Sequence, residues 1–239
     1  MPRPHDGHAA HPSGPDGPGA RGGNGPRGLT NLSAVYVARH GQTLSNVLHR
    51  YAGSSAEPLT AAGRAQALGS AERFAGMGIA EVWTSEIARA AETAHIVGER
   101  LGVPVVSDAR LNEMRMGPWE GLTECEVEAR FGEAYRTWLS EPDRLVLPGR
   151  ETLAQLASRV LPAVQDAAAA SRRVLLISHV APIRVAALMV LGLSLSAYKR
   201  LSVQNGDCLR LDLGSALAER LDGARPVFLR DEVTAGPKA

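Results

Sequence analysis

Short runs of β-branched and other apolar residues alternate along this chain with longer segments of helical periodicity. The apolar runs that are typical of buried or half-buried strands cover residues 35–38, 79–84, 103–106, 173–178 and 208–213, with an edge strand at 227–233. The segments with helical periodicity cover residues 61–74, 86–101, 151–170 and 182–192. Thr60 is the predicted N-cap of the first helix, and Gly102 closes the second.

This alternation of strand and helix predicts an α/β fold with three layers, α/β/α, around a largely parallel central sheet. Residues 116–148 do not fit the alternation, and they hold more than a third of the aromatic side chains. They lie between a strand end and a long helix. We therefore expect a small inserted cap over about residues 114–148.

The two ends of the chain differ from the rest in composition. Residues 1–32 are rich in Gly and Pro and nearly free of large apolar side chains, so we expect a disordered N-terminal tail. Its histidines, at positions 5, 8 and 11, have no fixed geometry for a metal. We expect the folded domain to span residues 33–234 and residues 235–239 to be flexible.

Composition excludes several classes of partner. The formal net charge is +1, so the chain lacks the basic surface that binding to nucleic acids or membrane surfaces requires. No apolar run approaches the roughly 20 residues that span a bilayer. We expect a cytoplasmic monomer or homodimer, with Cys125 and Cys208 as buried structural thiols.

The first candidate for chemistry is the triplet Arg39-His40-Gly41, which follows the first predicted strand. Ligands of open α/β sheets bind at the carboxyl ends of strands. An Arg guanidinium matches phosphate oxygens, and a His nitrogen has a lone pair near neutral pH. The triplet therefore indicates a phosphate held beside a nucleophile, provided that distant segments supply the other parts.

Residues 37–46 resemble the signature of the histidine phosphatase superfamily, which includes the cofactor-dependent phosphoglycerate mutases. Further segments similar to the family's motifs follow in the expected order, at 58–67, 84–94, 111–113 and 177–179. The resemblance runs from about Val35 to Leu213. It implies a small phosphorylated metabolite as the substrate.

Residue chemistry and the resemblance together indicate roles for the members of this site. His40 is the candidate nucleophile, with one ring nitrogen donating to a backbone carbonyl and the other facing phosphorus. Glu113 is the candidate general acid and base, and His179 the third catalytic residue. The candidate phosphate-binding residues are Arg39, Asn46, Arg89 and Thr43. We expect no cofactor and no obligatory metal, because two Arg and two His neutralise the phosphate.

The chain departs from the family pattern at several positions. Arg50 stands where many members carry an additional arginine, so it is a candidate contact for the outer part of the substrate, as is Trp119 in the cap. Ala56 replaces a frequent Asp. Arg150 interrupts the usual Gly-Glu-Ser run, which we expect to change the start of the next helix, with Thr152 or Glu151 assisting its cap.

Three functions remain open from the sequence: a phosphatase, a mutase and a non-catalytic binder of phosphorylated ligands. The interval from Glu113 to His179 is short and lacks the long insertion with paired arginines that mutases of this family carry. Residues 117–123 resemble the phosphatase branch that includes broad-specificity and α-ribazole-phosphate phosphatases. Hydrolysis is therefore favoured, and a binder would have no reason to keep His40 and Glu113 together.

Overall fold

A computed structural model describes residues 34–223. Its strands are β1 (Ala34–Arg39), β2 (Ile79–Thr84), β3 (Val105–Ser107), β4 (Arg173–Ser178), β5 (Cys208–Asp212) and β6 (Leu217–Arg220). Its α-helices are α1 (Leu44–Val47), α2 (Ala61–Phe74), α3 (Ala88–Leu101), α4 (Glu124–Ser140), α5 (Leu153–Ala169) and α6 (Val180–Val190). The N-terminal tail, residues 235–239 and the edge strand expected at 227–233 lie outside the described residues.

The strands form one six-stranded sheet in the order β3-β2-β4-β1-β5-β6. The pairs from β3 to β1 are parallel, whereas β5 and β6 pair antiparallel at one side. The predicted α/β fold with a largely parallel sheet is therefore confirmed. Strand β6 had no prediction, because its sequence alternates too weakly to indicate a strand.

The two faces of the sheet carry separate cores, which gives the three predicted layers. Side chains of β1 alternate between them: Val35 and Val37 pack with α5, α6 and the cap, whereas Tyr36 and Ala38 pack with α2 and α3. This period-2 division is what a strand buried on both faces requires.

The helix boundaries follow from capping. Helix α2 has the predicted bounds, and the Thr60 hydroxyl accepts from Gly63 N at 3.0 Å. Helix α5 begins at Leu153, because Thr152 forms a capping box with Gln155. Helix α6 begins at Val180, two residues before the prediction; Pro182 is tolerated there because first-turn N–H groups need no intrahelical acceptor.

The cap over residues 114–148 contains a short 3₁₀ helix, Gly117–Trp119, followed by α4, which is kinked at Phe131. Backbone hydrogen bonds connect the cap to the loop after β1: Tyr51 N donates to Leu122 O at 2.9 Å, and Gly121 N donates to Tyr51 O at 2.8 Å. The cap is thus fixed beside the carboxyl end of β1. Across residues 34–223, no helix is both long and apolar enough to cross a membrane.

Candidate active site

The candidate site lies where β1, β2 and β4 end at the same edge of the sheet. The parallel register places Arg39 beside Ser178, and two hydrogen bonds extend the pairing past the strands. His40 N donates to Ser178 O at 3.0 Å, and Ser85 N donates to Ile177 O at 3.1 Å. Segments far apart in the sequence therefore meet here.

The loop after β1 is held by a close backbone contact with α2. A Cβ atom on Gly41 would lie 2.2 Å from the carbonyl oxygen of Gly63, and one on Gly63 would lie 2.2 Å from Gln42 O. Only glycine fits at such a contact. This close contact explains why the residue after His40 is a glycine. It also fixes the position of the segment that carries His40.

His40 is buried, with 2% of its surface exposed. Its Nδ1 lies 2.7 Å from the carbonyl oxygen of Gly41, so Nδ1 carries the proton and donates. Nε2 is left with its lone pair, toward which Arg89 Nε donates at 3.2 Å. Burial, assisted by the charges of Arg39 and Arg89, holds the His40 pKa well below its usual value. The ring is therefore neutral at physiological pH, with the tautomer that the sequence reasoning required.

Two guanidinium groups flank this ring. Arg89, in the first turn of α3, is 1% exposed and donates from Nη2 to Gly53 O at 2.7 Å and from Nη1 to Ser55 O at 3.0 Å. Arg39 donates from Nη1 to Val203 O at 2.8 Å, while its buried Nε has no partner among residues 34–223. Both predicted arginines thus lie at the site, each oriented by backbone carbonyls.

Asn46 also lies here, and its amide orientation is settled by its neighbours. Its Oδ1 accepts from Thr43 N at 3.1 Å and from Asn205 Nδ2 at 3.0 Å, so its own Nδ2 is left as a donor without a described partner. Thr43 differs from the expectation: its hydroxyl caps α1 and contacts Asn46 Oδ1 at 3.2 Å. The structure therefore gives Thr43 the task of orienting Asn46.

Asn205, which precedes β5, is a site residue that the sequence reasoning missed. Its Nδ2 donates to the His40 carbonyl oxygen at 3.1 Å as well as to Asn46. Both partners of Nδ2 are oxygens that can only accept here, so the amide nitrogen must face them. The Asn205 Oδ1 is then left without a partner among residues 34–223. It lies in a turn with no family motif, so no signal in the sequence could have identified it.

His179 is the residue directly before α6 and lies beside His40, with ring centroids 5.0 Å apart. Its Nε2 is 2.8 Å from Ser85 Oγ. Ser85 Oγ in turn lies 2.9 Å from Asn112 Oδ1, which already accepts from Glu86 N at 2.8 Å. The Ser85 hydroxyl must therefore donate to Asn112 and accept from His179 Nε2–H.

This chain of hydrogen bonds leaves His179 Nδ1 as the nitrogen that faces the site. Nδ1 is buried and has no partner within residues 34–223. Burial, followed by the charge of Arg89, holds the His179 pKa well below its usual value. The site therefore contains two neutral imidazoles between two guanidinium groups.

Glu113 is buried with 8% exposure, and its Oε1 accepts from Met114 N at 2.9 Å. Burial raises its pKa, although Arg89, the Met114 N–H and Arg39 act in the opposite direction. A carboxyl group with a raised pKa can hold a proton for transfer. Arg159 positions the segment: it donates to the carbonyl oxygens of Asn112 at 2.7 Å and Glu113 at 3.0 Å.

A cavity of about 780 Å³ opens beside Arg39. Its wall contains Arg50, one of the two candidate substrate contacts, whose Nη1 donates to Gly121 O at 2.6 Å and to Glu126 at 3.0 Å. The cavity is lined by Arg39, Gln42, Ser45, Asn46, His49, Arg50, Tyr51, Thr123, Glu124, Cys125, Val203, Gln204 and Asn205.

Cys208 is buried as expected, but the same expectation for Cys125 is wrong, since its side chain is exposed.

Trp119, the other candidate substrate contact, is fully buried and is not part of the cavity wall. Its ring packs against Tyr51, Phe131, Tyr135 and Trp138 at centroid distances of 5.6 to 6.4 Å. It is the centre of the cap's own core. A fully buried indole cannot contact a ligand in this conformation.

The described part of the chain, residues 34–223, holds no group of three or more His, Cys, Asp or Glu side chains arranged to bind a metal ion.

The sequence model of the histidine phosphatase superfamily (branch 1) matches residues 35–218. The chain belongs to this superfamily. The match covers the whole site, from the histidine loop after β1 to the turn before β5.

Relatives within the superfamily include enzymes with two kinds of name. A probable phosphoglycerate mutase GpmB of Proteus mirabilis is 35% identical over 182 residues, covering 74% of this chain and 84% of the relative. A mycobacterial glucosyl-3-phosphoglycerate phosphatase solved with VO3 is 29% identical, with a TM-score of 0.69 over 74% of this chain and 92% of its own. Bacillus stearothermophilus YhfR is 26% identical, with a TM-score of 0.72 over 78% of this chain and 94% of its own.

Proposed function

We propose that this histidine phosphatase is a phosphomonoesterase that hydrolyses a small phosphorylated metabolite through a phosphohistidine on His40. The observation that carries the proposal is the hydrogen bond of His40 Nδ1 to Gly41 O at 2.7 Å. It leaves Nε2 with a free lone pair beside Arg39 and Arg89, two guanidinium groups that also interact with the buried Glu113 carboxyl group. Such an arrangement suits nucleophilic attack on phosphorus.

In the first step, the Nε2 lone pair of His40 forms a bond to phosphorus while the ester P–O bond breaks. The leaving alkoxide takes the proton of the Glu113 carboxyl group, which burial keeps available by raising its pKa. Arg89, whose Nε donates to His40 Nε2 in the structure, turns its N–H groups to the phosphoryl oxygens.

In the second step, a water oxygen attacks phosphorus and the N–P bond breaks. The Glu113 carboxylate formed in the first step takes a proton from this water. Inorganic phosphate leaves, and His40 regains its lone pair. Every proton is accounted for by one carboxyl group that serves first as acid and then as base.

The transferring phosphoryl group spreads negative charge over its equatorial oxygens. Arg39 Nε, Asn46 Nδ2 and the guanidinium of Arg89 are the donors for these oxygens. His179 adds to them when its Nδ1 takes up a proton, which the charge of the bound phosphate favours. These cationic groups supply the neutralisation, so we propose no obligatory metal and no cofactor.

Hydrolysis is favoured over transfer to a second hydroxyl because the site borders an open cavity of about 780 Å³ that admits water. A mutase must exclude water to preserve its phosphohistidine. The solved relative named as a phosphatase supports the same reading. Phosphoglycerate mutase remains the second candidate, because similar sequences carry that name.

The test is release of phosphate from p-nitrophenyl phosphate with and without EDTA. We expect activity that EDTA does not reduce and that His40→Ala abolishes, while the exposed His95→Ala control retains it. Conversion of 3-phosphoglycerate to 2-phosphoglycerate faster than phosphate release would favour the mutase. Tight binding of phosphate without turnover of any ester would make the protein a binder.

A further inference from the structure

The wall of the cavity carries few charges that could hold a second anionic group of a substrate. Among residues 34–223, the wall contains two arginines, Arg50 and Arg39 of the phosphate site, and one exposed histidine, His49. Its Nη1 is bound to Glu126 and to a backbone carbonyl. Glu124, also on the wall, forms no salt bridge with any residue between 34 and 223. Beyond the phosphate site, the wall therefore carries one ion-paired arginine and one carboxylate without a described salt bridge.

Two cationic side chains near the cap lie outside the cavity wall. Arg150 is buried between Trp119 and Trp138, at 4.9 and 4.2 Å from their ring centroids. Lys199 lies over Trp138 at 4.4 Å, and its charge acts on Glu124 through space without a salt bridge. Neither of them lines the cavity.

Several polar atoms of the wall can be assigned as hydrogen-bond acceptors for a ligand. Asn205 donates through Nδ2 to His40 O and to Asn46, so its Oδ1 is an acceptor without a partner among residues 34–223. The Glu124 carboxylate, which also accepts from the Tyr135 hydroxyl, is a second acceptor. Ser45 provides a hydroxyl without a described side-chain contact. A carboxylate or phosphate on the ligand cannot donate to such acceptors, whereas a hydroxyl can.

We propose that the leaving group of the substrate is an uncharged polyhydroxylated group, a sugar or polyol, whose hydroxyls donate to Glu124 and Asn205. A leaving group with its own carboxylate or phosphate would place a second anion beside Glu124. This inference rests on the proposed phosphatase function. The volume of about 780 Å³ suits a hexose or larger group better than a three-carbon acid.

The test compares two esters that differ at one carbon, sorbitol 6-phosphate and 6-phosphogluconate, which end in a CH₂OH group and a carboxylate. For the wild type we expect kcat/KM to be about 10-fold higher for sorbitol 6-phosphate, as one unfavourable charge contact would give. Glu124→Gln removes the charge and keeps an acceptor, and it should reduce this ratio by at least about 3-fold. The control Glu133→Gln, an exposed residue of the same helix outside the cavity wall, should leave the ratio unchanged.

Equal or higher kcat/KM for 6-phosphogluconate would overturn the inference, as would a ratio that Glu124→Gln does not alter. Hydrolysis of p-nitrophenyl phosphate with turnover of neither hexose ester would also count against it. The failure of the proposed function has a different signature, which is no phosphate release from any of the three esters.

Discussion

The phosphate site and the cap are two buried, charged regions that are stabilised in different ways. At the phosphate site, hydrogen bonds fix the tautomers of the His40 and His179 rings and the orientation of the Arg89 guanidinium. At the edge of the cap, the guanidinium of Arg150 lies against two indole rings of the cap, and its Nε and Nη2 have no hydrogen-bond partner in the described chain. One region is determined by hydrogen bonds and the other by ring packing.

This difference indicates whether each region mainly controls the reaction rate or the stability of the protein. Hydrogen bonds that set tautomers determine reactivity, so substitutions at the phosphate site should change rates more than stability. Aromatic packing around a desolvated cation contributes mainly to the free energy of folding. Substitutions in the cap should therefore change stability more than rates. The following predictions test this division.

The largest effect is expected for Glu113→Gln, which removes the transferable proton and keeps the side-chain volume. With an alkyl phosphate, kcat/KM, which reports the phosphorylation step and not the later hydrolysis, should fall by about 10²- to 10⁴-fold. The loss should be smaller with p-nitrophenyl phosphate, because p-nitrophenolate leaves without a proton. In the wild type, the alkyl-ester rate should fall as pH rises through the raised pKa of Glu113, since the acid form is lost. An equal loss with both esters would contradict the role of general acid.

In the cap, Trp119→Ala should lower the free energy of unfolding by about 3–5 kcal/mol, because it leaves a large cavity at the centre of the aromatic cluster. Urea denaturation followed by circular dichroism measures this. A variant as stable as the wild type but with a strongly raised KM would show instead that Trp119 contacts substrate, and the division between the regions would fail.

Ser85→Ala separates positioning from catalysis at the phosphate site. It removes the acceptor of His179 Nε2–H, which leaves a buried donor unsatisfied and frees the ring to change its tautomer. We expect kcat to fall by about 10-fold, corresponding to a lost hydrogen bond of about 1–3 kcal/mol. ¹⁵N NMR of the imidazoles would report the tautomer directly. Unaltered His179 shifts together with wild-type kcat would contradict the relay through Ser85 and Asn112.

The smallest effect is a pH dependence of stability. The lowered pKa of His179 means that its contribution is present above the unfolded value of about 6.5 and is lost as pH falls below it. Below that value, one such group changes the unfolding free energy by up to about 1.4 kcal/mol per pH unit. His179→Asn should flatten the dependence by that amount, whereas the exposed His95→Asn should not. Parallel curves for the two variants would show that His179 titrates normally.

The sequence predicted the features that depend on local pattern. Helix α2 was predicted at its observed bounds because an N-cap threonine precedes a regular apolar period. The place of His40 followed from a buried strand that ends in a polar triplet. The neighbours of the site, Arg39, Arg89 and His179, come from segments at strand ends or helix starts, which a parallel sheet brings to one edge.

Other features depend on contacts that leave no pattern in the chain. Asn205 reaches the His40 carbonyl from a turn before β5, and nothing in that turn marks it. Arg150 was expected only to change a helix start, and its contact with Trp119 and Trp138 depends on how α4 packs. Thr43 could serve phosphate or Asn46 equally well by residue type. Geometry alone distinguishes between such uses.

The central claim, a phosphohistidine on His40, is tested most directly by trapping the phosphorylated enzyme. Glu113→Gln should be mixed with ³²P-labelled p-nitrophenyl phosphate and quenched in alkali, because this ester needs no general acid to form the intermediate but does need a base for its hydrolysis. The account predicts near-stoichiometric label that is stable to alkali, lost in acid and absent when His40 is also replaced by Ala. Label that persists without His40, or phosphate release with no labelled enzyme at any time, would contradict it.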